Sequence, residues 1–350
     1  MFIMPKRKSS FIQRHAGPQK KSVNSLLDVM QDGKEYESLV DVTVPNMNFR
    51  DELRRGIADI EAIRHHPLIV YAANVINIPA GSSPDISYID DLPFSEMVST
   101  IPAGTDTLDI LIVTPGGSAQ QVSQFVNHLR PRFDNVAFII PYMAMSAGTI
   151  WALSGNEIWM DAKAFIGPID PQVPNKDGRF VPAQAILALL KKIQSNGQEN
   201  IDNGKNPDWS DIMILRNMDA KEIGNALSLS KYSIQLATEY LKVYKLRDWI
   251  HSNGTQATDA ERATTADKVA DLLCSHEHWR THSHGISRDV ANSELGLKIS
   301  HPEDVPGLER AIRRFWAVLY FLFDNSDIMK VFISNQYSIF KKFRLKTTST

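Results

Sequence analysis

Two short stretches of this chain join small residues to a hydroxyl in a way that could do chemistry: Thr114-Pro115-Gly116-Gly117 and Ala144-Met145-Ser146-Ala147-Gly148-Thr149. A glycine pair has no side chain to shield its amides, so its N–H groups can point at an incoming oxygen. A helix starting near Ser146 adds first-turn N–H groups that have no intrahelical acceptor. Brought together, the two turns would make an oxyanion hole with a hydroxyl beside it, which is equipment for acyl transfer. Gly167-Pro168-Ile169-Asp170-Pro171-Gln172 follows as a proline-locked exit. Either turn alone reads equally well as a tight turn whose small residues let a helix pack close to a sheet.

The elements around these turns must bring them together. Asp109 to Val113 is a nearly continuous apolar run, which predicts a strand of a parallel sheet buried on both faces. Ser118 is a plausible N-cap for a helix with Val122, Phe125, Val126 and Leu129 at helical spacing. Val136 to Ile140 reads as the next strand and Ile150 to Leu153 as part of a helix closed by Gly155. If the two strands lie side by side, both turns sit at the carboxyl edge of the sheet, where open α/β sheets place their ligands. Leu68 to Ile78 predicts a first strand, Phe49 to Arg64 an amphipathic helix before it, and Phe94 to Ile101 a short helix.

In this order the three stretches resemble the superfamily of the Clp protease proteolytic subunit, signal peptide peptidase and crotonase. Within it they are most similar to the prokaryotic serine dehydrogenase proteinase family. The resemblance covers Leu68 to Ile299. It implies an α/β fold, a Clp/crotonase-like spiral of βα units with a helical arm at 182–250 inside a peptidase domain at 49–300. Before it, 1–48 would be a basic, flexible arm and linker; after it, 301–350 would be a helical tail. It implies a serine peptidase in which Ser146 is the nucleophile and the oxyanion hole is built at Gly116, Gly117 and Ala147. In related enzymes the helical arm packs on neighbouring subunits and the short helix lies beside the active site, which implies a homo-oligomer acting on a polypeptide substrate.

A serine hydroxyl needs a neighbour to take its proton. The Clp subunit has a histidine on the strand after the nucleophile helix and an aspartate before the final helix. This chain has Asp170 in the first region and His282 and His284 in the second. We therefore expect the two roles to be exchanged, with His282 (alternatively His284) as base and Asp170 orienting it. A lysine dyad like that of the signal peptide peptidases would call on Lys191 or Lys192, although lysines on an apolar helix usually form its solvated face. A metal reading of Cys274, His276, His278, His282 and His284 lacks the paired-ligand framework of a recognised zinc pattern. We assign no metal.

Composition bounds the rest. The net charge is −2, which argues against a generally nucleic-acid-binding surface. One cysteine excludes an internal disulfide framework and fits a reducing, cytoplasmic compartment. No apolar run approaches the ~20 residues of a membrane span, and the N-terminus lacks the apolar core of a signal peptide. The basic termini leave peripheral membrane contact open: Lys6, Arg7, Lys8, Arg14, Lys20 and Lys21 at one end, and Arg313, Arg314, Lys341, Lys342, Arg344 and Lys346 around Phe315–Phe323 at the other. No G-x-G-x-x-G fingerprint follows a strand, so no nicotinamide chemistry and no cofactor is expected. A crotonase-type acyl-CoA enzyme using the same oxyanion hole, and a non-catalytic oligomeric scaffold, are the alternatives.

Overall fold

The computed structural model describes residues 21–22, 25–40, 42–43, 48–174 and 179–343. The basic residues before Lys21, together with Arg344 and Lys346, lie outside them. At the N-terminal end β1 (Lys21–Ser22) pairs in parallel with β2 (Val42–Thr43), and the helical turn α1 (Glu37–Val40) lies between. Helix α2 (Phe49–Arg64) then opens the main body of the fold, capped by Asn48, whose side chain accepts from the Arg50 amide. β3 (Leu68–Ala73), α3 (Asp91–Ser99), β4 (Thr107–Val113), α4 (Ala119–Leu129) and β5 (Asn135–Ile140) follow. Ser118 caps α4 as expected, accepting from the Gln121 amide.

The two-residue strand β6 (Met143–Ala144), helix α5 (Ala147–Leu153) and β7 (Glu157–Met160) complete the parallel part. Three short strands come next: β8 (Phe165–Ile166), β9 (Gln172–Pro174) and β10 (Phe180–Pro182). The helical arm is α6 (Ala183–Asp202), α7 (Trp209–Asn217) and α8 (Ala220–Tyr240), the last running into one π turn over Leu241–Lys245. The chain returns through α9 (Asp259–Cys274), α10 (His276–Trp279), β11 (Ile286–Ser287) and α11 (Arg288–Ser293). It closes with α12 (Leu308–Asp324), β12 (Ile328–Ile333) and β13 (Ser338–Lys342).

The main sheet has the order β13-β12-β3-β4-β5-β7, and β3, β4, β5 and β7 run parallel. Strand alternation sorts its side chains into two cores. Ile69, Tyr71, Ile110, Ile112 and Phe138 face one core with Phe94, Phe125 and Trp151. Leu68, Val70, Leu111, Val113 and Ile139 face the other, under α2 and α12. β6, β8 and β11 form a second, smaller sheet beside the first. This is an α/β architecture with a parallel central sheet, in which the neighbouring strands β4 and β5 deliver both turns to one edge.

Three stretches depart from the sequence reading. Residues 25–40 are not a free arm, because Leu26, Leu27, Met30 and Leu39 are buried in the core under α12. Helix α6 runs through Asn196-Gly197, a pair whose residue types signal a helix stop in the sequence. Gly197 is an open surface position with nothing within 4 Å of an added Cβ, so it costs the helix only about 1 kcal/mol relative to alanine, which its neighbours outweigh. Where a helical tail is expected at 301–350, α12 is followed by two strands, and β12 pairs antiparallel with β3 at the centre of the fold. Phe315 and Phe323 are fully buried against the sheet, so this apolar face is core and not a membrane-facing surface. Arg313, Lys341 and Lys342 pair with Asp161, Asp90 and Asp327. Among the described residues no helix is long and apolar enough to cross a membrane.

Lys330 of β12 carries a charge into the core at 1% side-chain exposure and meets Asp90 at 2.5 Å. Burial lowers its pKa from the ordinary lysine value, and Asp90 opposes that shift. Removing one partner of such a pair strands the other. We expect Lys330→Met to lower unfolding free energy by about 3–5 kcal/mol in urea titrations; a loss under about 1 kcal/mol would mean that the other donors suffice for Asp90. Cys274 reports on how the arm is docked: Gln184 Nε2 of α6 donates to its Sγ at 3.3 Å. Burial raises the thiol to about 11, so almost no thiolate exists at pH 8. A disulfide reagent such as DTNB should titrate it at pH 8 only after denaturation, and prompt reaction of native protein would show the arm lifted off the core.

Candidate active site

The two turns meet backbone to backbone. Thr114 forms a parallel bridge with Ala144, its amide donating to the Met143 carbonyl and its carbonyl accepting from the Met145 amide, both at 3.0 Å. Gly116 and Gly117 take φ of 106° and 133°, a region open to glycine. The Gly116 amide donates to Thr114 Oγ1 at 3.1 Å, which fixes the turn. On its outer side the turn is paired with Ile86: the Ile86 amide donates to the Gly116 carbonyl at 2.7 Å and the Ser118 amide to the Ile86 carbonyl at 2.9 Å. The Gly117 amide lies between these bonds and has no acceptor among the described residues.

Ser146 is at φ 51° and ψ −118°, a conformation that costs a non-glycine residue about 1–3 kcal/mol. It forms a sharp strand-to-helix elbow, and α5 begins at the next residue, so the Ala147 amide is a first-turn donor. Thr149 locks the elbow from behind: its Oγ1 donates to the Ala144 carbonyl at 2.8 Å and accepts from the Gly167 amide at 3.0 Å. That second bond ties the serine turn to the exit that carries Asp170.

Asp170 is fully buried, and the neighbouring Ile169 amide donates to the Leu273 carbonyl at 3.0 Å, which fastens the exit to the end of α9. The chain beyond α9 folds back over it. Trp279 is buried and its Nε1 donates to the Leu272 carbonyl at 2.7 Å. Arg280 then takes φ 64° and turns the chain, which brings His282 Nδ1 to 2.7 Å from Asp170 Oδ1. Against a carboxylate acceptor this nitrogen carries the proton, leaving Nε2 of the neutral ring as a lone-pair acceptor.

Gly117, Ser146, Ala147 and His282 line one cleft of about 490 Å³. Asp85, Ile86 and Ser87 form one wall, while Phe180 and the arm residues Leu229 and Tyr232 contribute apolar surface. Of the other residues singled out from sequence, Gly116 supports the turn from behind. His284 lies against the Trp279 ring, with centroids 5.2 Å apart, and does not line the cleft. Lys191 and Lys192 are exposed on α6, away from it. His278 is drawn to Glu294 at 2.9 Å. Among the described residues no three His, Cys, Asp or Glu side chains converge as a metal site.

Sequence reasoning missed the support beneath the Asp85–Ser87 wall. Lys330 Nζ donates to the Asp85 carbonyl at 2.6 Å as well as to Asp90, and Asp90 Oδ2 also accepts from the Ser87 amide at 3.0 Å and the Tyr71 hydroxyl at 3.1 Å. The available signal was one lysine within the apolar run Ile328-Met329-Lys330-Val331-Phe332-Ile333.

Residues 97–223 match the family model of the ClpP-like SDH-type serine proteinases. Two uncharacterized proteins of Methanocaldococcus jannaschii are similar, one 30% identical over 150 residues and the other 31% identical over 144. Each alignment takes 41% of this chain, and they take 47% and 46% of the relatives, so the chain spans about half the length of the curated relatives it matches. A membrane-bound stomatin-specific protease solved with a substrate peptide is 17% identical, over 59% of this chain and 99% of that one, at a TM-score of 0.28. ClpP1 of Listeria monocytogenes is 12% identical, over 49% and 92%, at 0.25. The family match spans both turns, Asp170 and most of the arm, and on that stretch, residues 97–223, the chain is similar to the ClpP-like SDH-type serine proteinases.

Proposed function

We propose that this protein is a serine peptidase that hydrolyses peptide bonds through a Ser146 acyl-enzyme. The observation that carries this reading is the strained elbow at Ser146 in one cleft with His282, whose Nδ1 is held 2.7 Å from a buried carboxylate. His282 Nε2 takes the Ser146 proton as Oγ attacks the scissile carbonyl, and Asp170 steadies the imidazolium. The carbonyl oxygen becomes an oxyanion held by the Gly117 and Ala147 amides. His282 then gives its proton to the leaving amine, and a water, deprotonated by the same nitrogen, releases the acyl group. Gly117 is required for space: an added Cβ would stand 2.6 Å from the Ile86 amide nitrogen. The exposed position of Lys191 speaks against a lysine base.

The reading extends to a homo-oligomer. Helix α7 buries none of its residues, and Trp209 is 77% exposed beside exposed Ile212, Met213 and Leu215. A contiguous apolar face of this kind is covered in an assembly, and we assign its cover to a second copy of the chain. Trp209→Glu with Leu215→Glu should reduce the mass measured by light scattering to that of a smaller species; an unchanged mass would remove α7 from the interface.

The activity is tested by fluorophosphonate labelling of the assembled protein. Labelling should vanish in Ser146→Ala and fall about 10²–10⁴-fold in His282→Ala, while His284→Ala and Lys191→Ala stay within about twofold of wild type. Loss at Ser146 with full labelling in His282→Ala would return the base to another residue. A folded wild type that does not label but turns over an acyl-CoA thioester would replace the peptidase by the crotonase-type reading, and inertness in both assays by the scaffold.

A further inference from the structure

Asp170 has two carboxylate oxygens, and His282 occupies only Oδ1. Oδ2 is buried without a hydrogen-bond partner among the described residues. Facing it at 3.7 Å is Nδ1 of His276, which is also buried and also without a partner. The two atoms are complementary, and their separation exceeds hydrogen-bond range by less than about 1 Å. Buried polar atoms are rarely left alone in pairs that could satisfy each other.

The local chain explains why two histidines six residues apart face one carboxylate. Ser275 caps α10, its Oγ accepting from the His278 amide at 3.2 Å, so His276 stands at the first helical position against the Asp170 exit. The left-handed Arg280 reverses the chain, and buried Trp279 pins the reversal, returning His282 to the same group. The other two histidines of the cluster are drawn elsewhere, to Glu294 and to the Trp279 ring.

We propose that His276 is a positioning residue for the Ser146 reaction, donating from Nδ1 to Asp170 Oδ2 in the reacting state so that the carboxylate is held from both sides. This rests on the reading of Ser146, His282 and Asp170 given above. A carboxylate fixed through one oxygen can turn about its Cβ–Cγ bond, a torsion with broad wells. Each turn moves Oδ1 off the His282 Nδ1 axis and swings Nε2 away from Ser146. A donor on Oδ2 sets the plane of the carboxylate, and a small rotation of the His276 ring closes the gap. No proton is transferred by His276 and no bond is made or broken there.

The test pairs fluorophosphonate labelling rates with the downfield proton spectrum of the His282 Nδ1–H, in full-length His276→Phe, His276→Asn and His282→Ala proteins. Phenylalanine keeps a ring and removes the donor, whereas asparagine puts an amide N–H near the position of Nδ1. His276→Phe should label about tenfold to hundredfold more slowly, with the downfield resonance shifted or broadened and the melting curve unchanged. His276→Asn should restore the rate to within about threefold and restore the resonance. If His276→Phe labels at the wild-type rate while His282→Ala does not label, the positioning role is overturned and the triad stands. Equal slowing in His276→Phe and His276→Asn also overturns it, because the donor would then be irrelevant. If His282→Ala labels normally, the triad reading falls, and the role of His276 falls with it.

Discussion

The turns at the carboxyl ends of β4 and β5 approach until backbone meets backbone. An added Cβ on Gly116 would stand 2.7 Å from the Met145 carbonyl oxygen and 2.7 Å from Ser146 Cβ, while one on Gly148 would run into the Thr114 methyl group. The pairing of Thr114 with Met143 and Met145 depends on this closeness. So does the placement of the Gly117 and Ala147 amides on one cleft. A parallel sheet makes the approach possible, because neighbouring parallel strands end on the same edge and release their turns side by side. The strain at Ser146 is held by the same contacts, with Thr149 bracing the elbow on Ala144 and Gly167.

Around this contact the fold adds two braces from distant parts of the chain. One is the Lys330–Asp90 pair, which anchors the Asp85–Ser87 wall through the Asp85 carbonyl and the Ser87 amide. A buried ion pair contributes little net stability compared with apolar packing, and what it secures is geometry. The wall in turn holds the Gly116 carbonyl and the Ser118 amide. The C-terminal hairpin, though more than two hundred residues from the glycine turn, is therefore part of the support of the cleft. The other brace is the loop from α9 to β11, which brings histidines to a carboxylate on the Gly167–Gln172 exit.

Both braces consist of polar groups that water would otherwise solvate. Asp170 and Asp90 are fully buried, and each is met by donors from segments far away in sequence. Such groups restrict the packing the chain can adopt, since any other arrangement leaves a charge without a partner. The apolar core tolerates approximate packing more readily. The aromatic cluster of Tyr71, Phe94, Phe125, Phe138 and Trp151 fills the space between sheet and helices, and the polar contacts set the register of the turns.

The sequence by itself determined the central strands β4 and β5, helix α4 and the two turns, because these depend on local pattern. Apolar runs at 109–113 and 136–140 read as buried strands, Ser118 read as a cap, and the glycine pair and Ser146 stood at strand ends where a ligand edge follows. Only the tertiary structure decided which histidine meets Asp170. His276, His278, His282 and His284 are equivalent in composition, and their separation depends on one left-handed residue, Arg280, and on where Trp279 is buried. It also decided that the tail returns to the sheet as β12, since a strand is stable only beside a partner, and the partner β3 lies far away in the chain. Local pattern is written in neighbouring residues, whereas the pairing of a buried charge or a strand edge is fixed by long-range closure, which no single stretch of sequence contains.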